Sequence, residues 1–169
     1  MFADEIYKKA TQLKKKYKSD DPFKIAEASG IMIIENNDFK ELKGLYTIIE
    51  NKRVIIINAN LPRENQRLVC AHELGHDVIH REFAKNRIFH EFTLYDMAAR
   101  AEYEANMFAA DIIIPDDDIN DLVFNYGYDM EQIAKKLNTD INLVGIKLAN
   151  MNYRGYQFKI GIPPKNNFL

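Results

Sequence analysis

A disulfide framework is excluded at the outset, because the 169 residues contain a single cysteine, Cys70. A reducing cytoplasm is the expected location of such a chain. An excess of charge is missing too. The 23 basic and 25 acidic residues are interspersed and leave a net charge of −2. No global field draws the protein to nucleic acid or to an anionic membrane, so function has to reside in a local site. Apolar runs long enough to cross a bilayer are absent. The lysine-rich start, MFADEIYKKATQLKKKYKSDDPF, has neither the continuous apolar stretch nor the small-residue cleavage pattern of a signal peptide. Its Phe2, Ile6, Leu13 and Tyr17 fall near helical spacing, which predicts a surface helix with a solvated lysine face. Internal repeats and low-complexity linkers are also lacking.

What is present is enough apolar character, 47% of residues, to bury a core in one domain or two small lobes. DDPFKIAEASG predicts a short helix, with Asp20 or Asp21 as cap, Pro22 in its first turn and Gly30 at its end. IMIIE is a β-branched strand, and GLYTIIENKRVIIIN is a hairpin turning at ENK, 50–52. Helices are predicted over about 62–83 and 96–114, separated by the irregular AKNRIFHEFTLYD, with Pro115 stopping the second. The DDD at 116–118 lacks the ligand alternation and glycine of a calcium loop and is assigned to helix capping. The rest is mostly helical up to a strand-like QFKIGI and a loose end. The fold class is therefore α+β: a mostly helical domain with a small three-stranded sheet over 1–115, and a C-terminal helical subdomain over 116–169, together one compact unit.

Histidine is scarce and concentrated. Three of the four, His72, His76 and His80, lie in RLVCAHELGHDVIHREF, each four residues after the last. On a helical period Leu68, His72, His76, Ile79 and Phe83 form one stripe, so imidazoles occupy the core-facing side. Two histidines at i and i+4 aim their rings at a common point, as a divalent metal requires. Glu73 lies beside that point, off the ligand axis. His-Glu-x-x-His on a helix is the arrangement of zinc proteases, in which the glutamate is the base for a water at the metal.

A third ligand is sought in DMAARAEYEANMFAADIII. Ala98, Ala105, Ala109 and Ile112 form an apolar stripe with Glu102 in its middle, whereas Glu104 shares a face with Arg100 and Asp111 and reads as solvated. A carboxylate on an alanine stripe is costly to desolvate without a cation. Glu102 is therefore the expected third ligand; an ion pair with Arg100 or another base is the competing explanation. Asn106, one turn on, is placed to orient a liganding histidine. His80 stays open between a fourth ligand, a group behind the ligands, a transition-state donor and a plain structural role. His90 and Tyr95, in the connecting loop, are candidates to reach over the metal toward an oxyanion. Cys70 points nearly opposite to His72 and reads as a buried thiol. The apolar strand RVIIIN, with Val54, Ile55 and Ile56, is expected at a sheet edge, where it would hold an extended substrate by backbone pairing.

These residues resemble the ImmA/IrrE metallopeptidases of bacteria, phages and integrative elements. The resemblance spans about 20–115 and is carried by DDPFKIAEASGI, by LKGLYTI leading to RVIIINANLP, by QRLVCAHELGHDVIH and by AEYEANMFAADIIIP. It implies a zincin-like fold with a gluzincin-type site: His72 and His76 as zinc ligands, Glu73 as catalytic base and Glu102 opening the second motif. Manganese or another divalent ion is an alternative to zinc. It implies a cytoplasmic zinc endopeptidase that cuts a helix-turn-helix repressor encoded nearby, an anti-repressor for a phage, integrative element or stress regulon.

Two other readings follow from the chain. MEQIAKKLNTDINLVGIKLA is spaced like a helix-turn-helix at Ile133, Ala134, Leu137 and Val144, but Asn138 stands where the turn glycine is usual and Lys147 where an apolar residue belongs. Three acids and three lysines over 129–150 are a poor match for phosphate, so a packing or repressor-docking element is expected there and direct nucleic-acid binding is not. The second is a zinc-stabilised regulatory module without catalysis, acting by protein binding or through that segment on DNA.

Overall fold

The computed structural model describes residues 1–85 and 94–161, apart from the side chains at 83–85 and 94–98. His90 lies outside the described residues, as does the Tyr95 side chain.

Helix α1 (Ala3–Tyr17) buries Ile6 and Ala10, while Phe2, expected on its apolar side, is its exposed N-cap. In α2 (Pro22–Ala28) the Asp21 carboxylate accepts from the Phe23 amide at 3.0 Å, Pro22 is the first residue, and Gly30 leaves the helix at φ +77. That left-handed exit turns the chain into β1 (Met32–Asn36). Strands β2 (Gly44–Ile49) and β3 (Lys52–Asn58) form a hairpin whose two turn residues, Glu50 and Asn51, both have positive φ. This matches the twist of two-residue hairpins.

The sheet order is β1-β3-β2, with β1 parallel and β2 antiparallel to β3. The expectation of an edge position for Val54, Ile55 and Ile56 is thus overturned. Both sides of β3 are paired, and Val54 and Ile55 are buried. An apolar run with neighbours on both sides is what a central strand requires; β1 and β2 are the edges, and Gly44, Leu45 and Tyr46 of β2 line a cleft beside the next helix.

Helix α3 (Arg63–Lys85) packs between the sheet and α4 (Leu94–Ile113). Ile55 and Ile57 from β3 meet Cys70, Ala71 and Leu74 of α3, and Phe108, Ala109 and Ile112 of α4 complete this fully buried core. At His80 the backbone leaves helical values (φ −120, ψ 17), so α3 is two helical pieces joined by a kink.

Beyond Pro115 come α5 (Asp116–Asn120), a π-turn over Asp121–Asn125, α6 (Met130–Lys136) and α7 (Ile141–Tyr153). Asn138, between α6 and α7, adopts φ +48 and so performs the role of the missing turn glycine. Lys147 is explained by its partners. Fully buried on α7, it donates to Asp111 at 2.8 Å and pairs with Asp116 at 2.6 Å. Asp111, expected on a solvated face, is buried for the same reason. Asp116 does not cap α5 through its side chain; it takes Lys147 and both Nη atoms of Arg154. Residues 157–160 form no strand: the Phe158 amide and carbonyl are both bonded by the Asn152 side chain. No helix among the described residues is long and apolar enough to cross a membrane.

Candidate metal centre

The site begins with glycine. Gly75 of α3 faces Ala105 of α4, and a β-carbon on Gly75 would stand 3.2 Å from both the Cα and the carbonyl oxygen of Ala105. This close approach brings the middle of α4, with Glu102, over the histidine face of α3. His72 Nε2 and His76 Nε2 are 3.1 Å apart; Glu102 Oε2 is 3.1 Å from the first and Glu102 Oε1 3.4 Å from the second. Among the described residues, His72, His76 and Glu102 are the one group of histidine, cysteine or carboxylate ligands close enough to share an ion.

The three residues fit a tetrahedral cation. Ligand atoms about 2.0–2.1 Å from zinc lie about 3.3–3.4 Å from one another. Proton bookkeeping agrees. His72 Nδ1 is 2.8 Å from Asn106 Oδ1, an acceptor, so a neutral His72 ring keeps its proton on Nδ1 and presents the Nε2 lone pair inward. Ring nitrogens crowded against a carboxylate in this way favour positive charge at their meeting point, a bound cation or a ring proton. The electrostatics point the same way: burial lowers the proton affinity of His72, but the Glu102 contact and the Glu73 charge outweigh it and raise its pKa. Glu102 is held well below the usual carboxylate range by its contacts with His72 and His76.

Glu102 itself departs from the expected buried stripe. Its side chain is 52% exposed, although Ala105, Ala109 and Ile112 on the same helix are fully buried. It reaches not into the core but into a cleft of about 470 Å³, lined by Leu42, Gly44 and Tyr46 on one side and His72, Glu73 and His76 on the other. Its competing partner Arg100 instead donates to Glu104 at 2.9 Å.

Glu73 lies at the cleft floor with only 7% of its surface exposed. Burial raises its pKa above the ordinary carboxylate value, against the pull of His72 and His76, and the Tyr46 amide bonds to its carboxylate. Gly44 lets β2 come this near: a β-carbon there would fall 3.1 Å from Glu73 Oε1 and collide with Val69. The Tyr46 hydroxyl ties the same strand to α3, donating to Asp77 Oδ1 at 2.7 Å, while Arg53 and Arg81 hold Asp77 Oδ2. Sequence reasoning missed Tyr46 and Asp77, whose partners are 31 residues apart.

Glu104 was expected in solvent and is buried. It accepts from His80 Nε2 at 3.0 Å and from Arg100, and it meets the Met1 ammonium. Burial would raise its pKa, yet these three cationic or donor groups together lower it. His80 is not part of the three-residue group; its Nδ1 lies 3.3 Å from His76 Nδ1. Cys70 is fully buried, and burial pushes its thiol pKa up, as expected of an inert thiol.

The family described as IrrE N-terminal-like domain, Peptidase M78, matches residues 26–161. The chain belongs to the ImmA/IrrE metallopeptidase family. It is 37% identical over 112 residues to Bacillus phage phi105 "Uncharacterized immunity region protein 2", covering 66% of this chain and 70% of that one. It is 27% identical over 149 residues to "Metallopeptidase ImmA" of Bacillus subtilis strain 168, covering 86% and 85%. In three dimensions it resembles a Mycobacterium tuberculosis transcriptional regulator, with a TM-score of 0.64 at 16% identity. That match covers 94% of this chain, which spans about half (49%) of the regulator's length, and it bears on fold alone. Family membership accords with a metal site at HELGH; the residues themselves supply the geometry.

Proposed function

We propose that this member of the ImmA/IrrE family is a zinc-dependent endopeptidase that cuts a helix-turn-helix transcriptional repressor and so acts as an anti-repressor for a phage, integrative element or stress regulon. The observation that carries the reading is the meeting of His72, His76 and Glu102 at 3.1–3.4 Å with buried Glu73 alongside and an open cleft in front. A divalent cation held there supplies Lewis acidity toward a carbonyl oxygen and a nearby water. Glu73, its proton affinity raised by burial, takes a proton from the attacking water and delivers it to the leaving amine. Asn106 holds the His72 ring so that Nε2 faces inward. The cleft side of β2 is where an extended segment would lie against this chain. The same reading takes the mostly helical domain with its small three-stranded sheet as a zincin-like fold.

Two observations favour this reading over its rivals. His80 has both ring nitrogens engaged away from the ligand point, which argues against a purely structural site closed by four side chains. On α7 eight of thirteen residues are buried, Lys147 among them, and only Tyr153 is exposed, leaving little surface to enter a DNA groove. The test is to mix the purified protein, zinc-loaded, with the helix-turn-helix repressor encoded beside it. One defined cut, absent in Glu73→Gln, is the expected outcome. An intact repressor under conditions that induce its regulon, or equal cutting by Glu73→Gln, would refute it.

A further inference from the structure

We infer that His80 and Glu104 form a relay that fixes the ring of His76, making both positioning residues of the candidate metal centre. The inference rests on the proposed metal site and extends it to residues outside the three ligands.

The argument is one of proton placement. His76 Nε2 faces His72 and Glu102, so a neutral His76 that ligates through Nε2 must carry its proton on Nδ1. Among the described residues, His80 Nδ1 lies 3.3 Å from His76 Nδ1 and is placed to take that proton. To accept it, His80 must leave Nδ1 bare and keep its own proton on Nε2, which lies 3.0 Å from Glu104 Oε2, a carboxylate oxygen. Each assignment forces the next, and the chain ends on an anion. Only 7% of the His80 side chain and 9% of Glu104 are exposed, so water competes poorly for either bond. Arg100 Nε on the other Glu104 oxygen, at 2.9 Å, stops the carboxylate from swinging away. The departure of His80 from helical dihedrals gives its ring an attitude of its own, 50° from the plane of His76 with ring centroids 5.4 Å apart. The two ligand rings are thereby oriented differently. His72 is held by the neutral amide of Asn106, and His76 by an imidazole backed by a carboxylate. A carboxylate behind a ligating histidine raises its basicity and fixes its tautomer.

The test has two arms on the full chain. In the first, zinc affinity is measured by competition with a chromophoric chelator. His80→Phe is expected to bind zinc about 10- to 100-fold more weakly. His80→Gln, whose carbonyl can accept from His76 while its amide donates to Glu104, is expected to restore most of the loss. Wild-type affinity in His80→Phe, or an equal loss in His80→Gln, would overturn the relay. The second arm needs no variant and decides the matter if His80→Phe does not fold. Long-range nitrogen–proton NMR of the zinc-loaded protein is expected to show His76 protonated on Nδ1 and His80 on Nε2 alone; His80 protonated on Nδ1 would overturn the relay. Failure of wild type itself to bind zinc would instead strike the parent reading, so the two failures are distinguishable.

Discussion

Gly75 and Ala105 meet where α3 crosses α4, so closely that a β-carbon on the glycine would fit only if the Ala105 backbone gave way by a few tenths of an ångström. Glu102 lies three residues before Ala105, and the two histidines flank Gly75. The spacing of one helix pair therefore sets the spacing of the ligand atoms. Gly75→Val would press its side chain against the Ala105 backbone and force the helices apart, with an expected cost of about 1–3 kcal/mol. Zinc affinity should fall at least about tenfold as Glu102 is carried away from the histidines. Urea unfolding and chelator competition measure the two effects; a variant that is destabilised but binds zinc normally would separate packing from ligand placement.

Glu73→Gln replaces a proton acceptor by an amide of the same shape. Zinc binding should stay within a few-fold of wild type, while repressor cleavage should fall by about 10²–10⁴-fold. Chelator titration beside a single-turnover cleavage assay reads both. A parallel loss of metal and activity would assign Glu73 a structural part rather than the base.

Much of this site was legible in the sequence, and the reason is local. His72, His76 and Glu73 lie within one and a half helical turns, where period alone fixes direction. Glu102 was legible because a lone acid interrupts an alanine stripe, although the cost inferred from that stripe was overstated: half of the side chain is in the cleft. What escaped was non-local. Strand order is set by β1 crossing to pair with β3, so the apolar RVIIIN became the centre of the sheet rather than its edge. Glu104 and Asp111 carry charges that helical period assigned to solvent; each is buried because a partner from elsewhere, His80 or Lys147, meets it.

Lys147 supplies the next prediction. Its side chain is 1% exposed and that of Asp111 is fully buried, so removing the ammonium strands a carboxylate in the core. Lys147→Met should destabilise the fold by about 3–5 kcal/mol. Adding Asp111→Leu should recover a large part of that loss. Chemical denaturation of the single and double variants checks the sign, and a double variant no better than the single would show that the ion pair is not what Lys147 contributes.

Asp116 gives a pH dependence. Burial pushes its pKa up, but Arg154 and Lys147 prevail and hold it at about 2. A depressed carboxylate stabilises the fold above its unfolded pKa, and the benefit is lost as pH falls toward the folded value. The window is therefore about pH 4 down to about pH 2, and the size about 2 kcal/mol. Asp111 works in the opposite sense, since burial raises its pKa. Asp116→Asn should flatten the acid limb of the stability curve in that window relative to wild type; an unchanged limb would remove Asp116 from the acid response.

The most direct measurement is anomalous diffraction at the zinc edge from crystals of the zinc-loaded protein. A single peak is expected, about 2.0–2.1 Å from Nε2 of His72, Nε2 of His76 and a carboxylate oxygen of Glu102, with no fourth side chain attached. A peak elsewhere, or one with His80 as an additional ligand, would contradict the account.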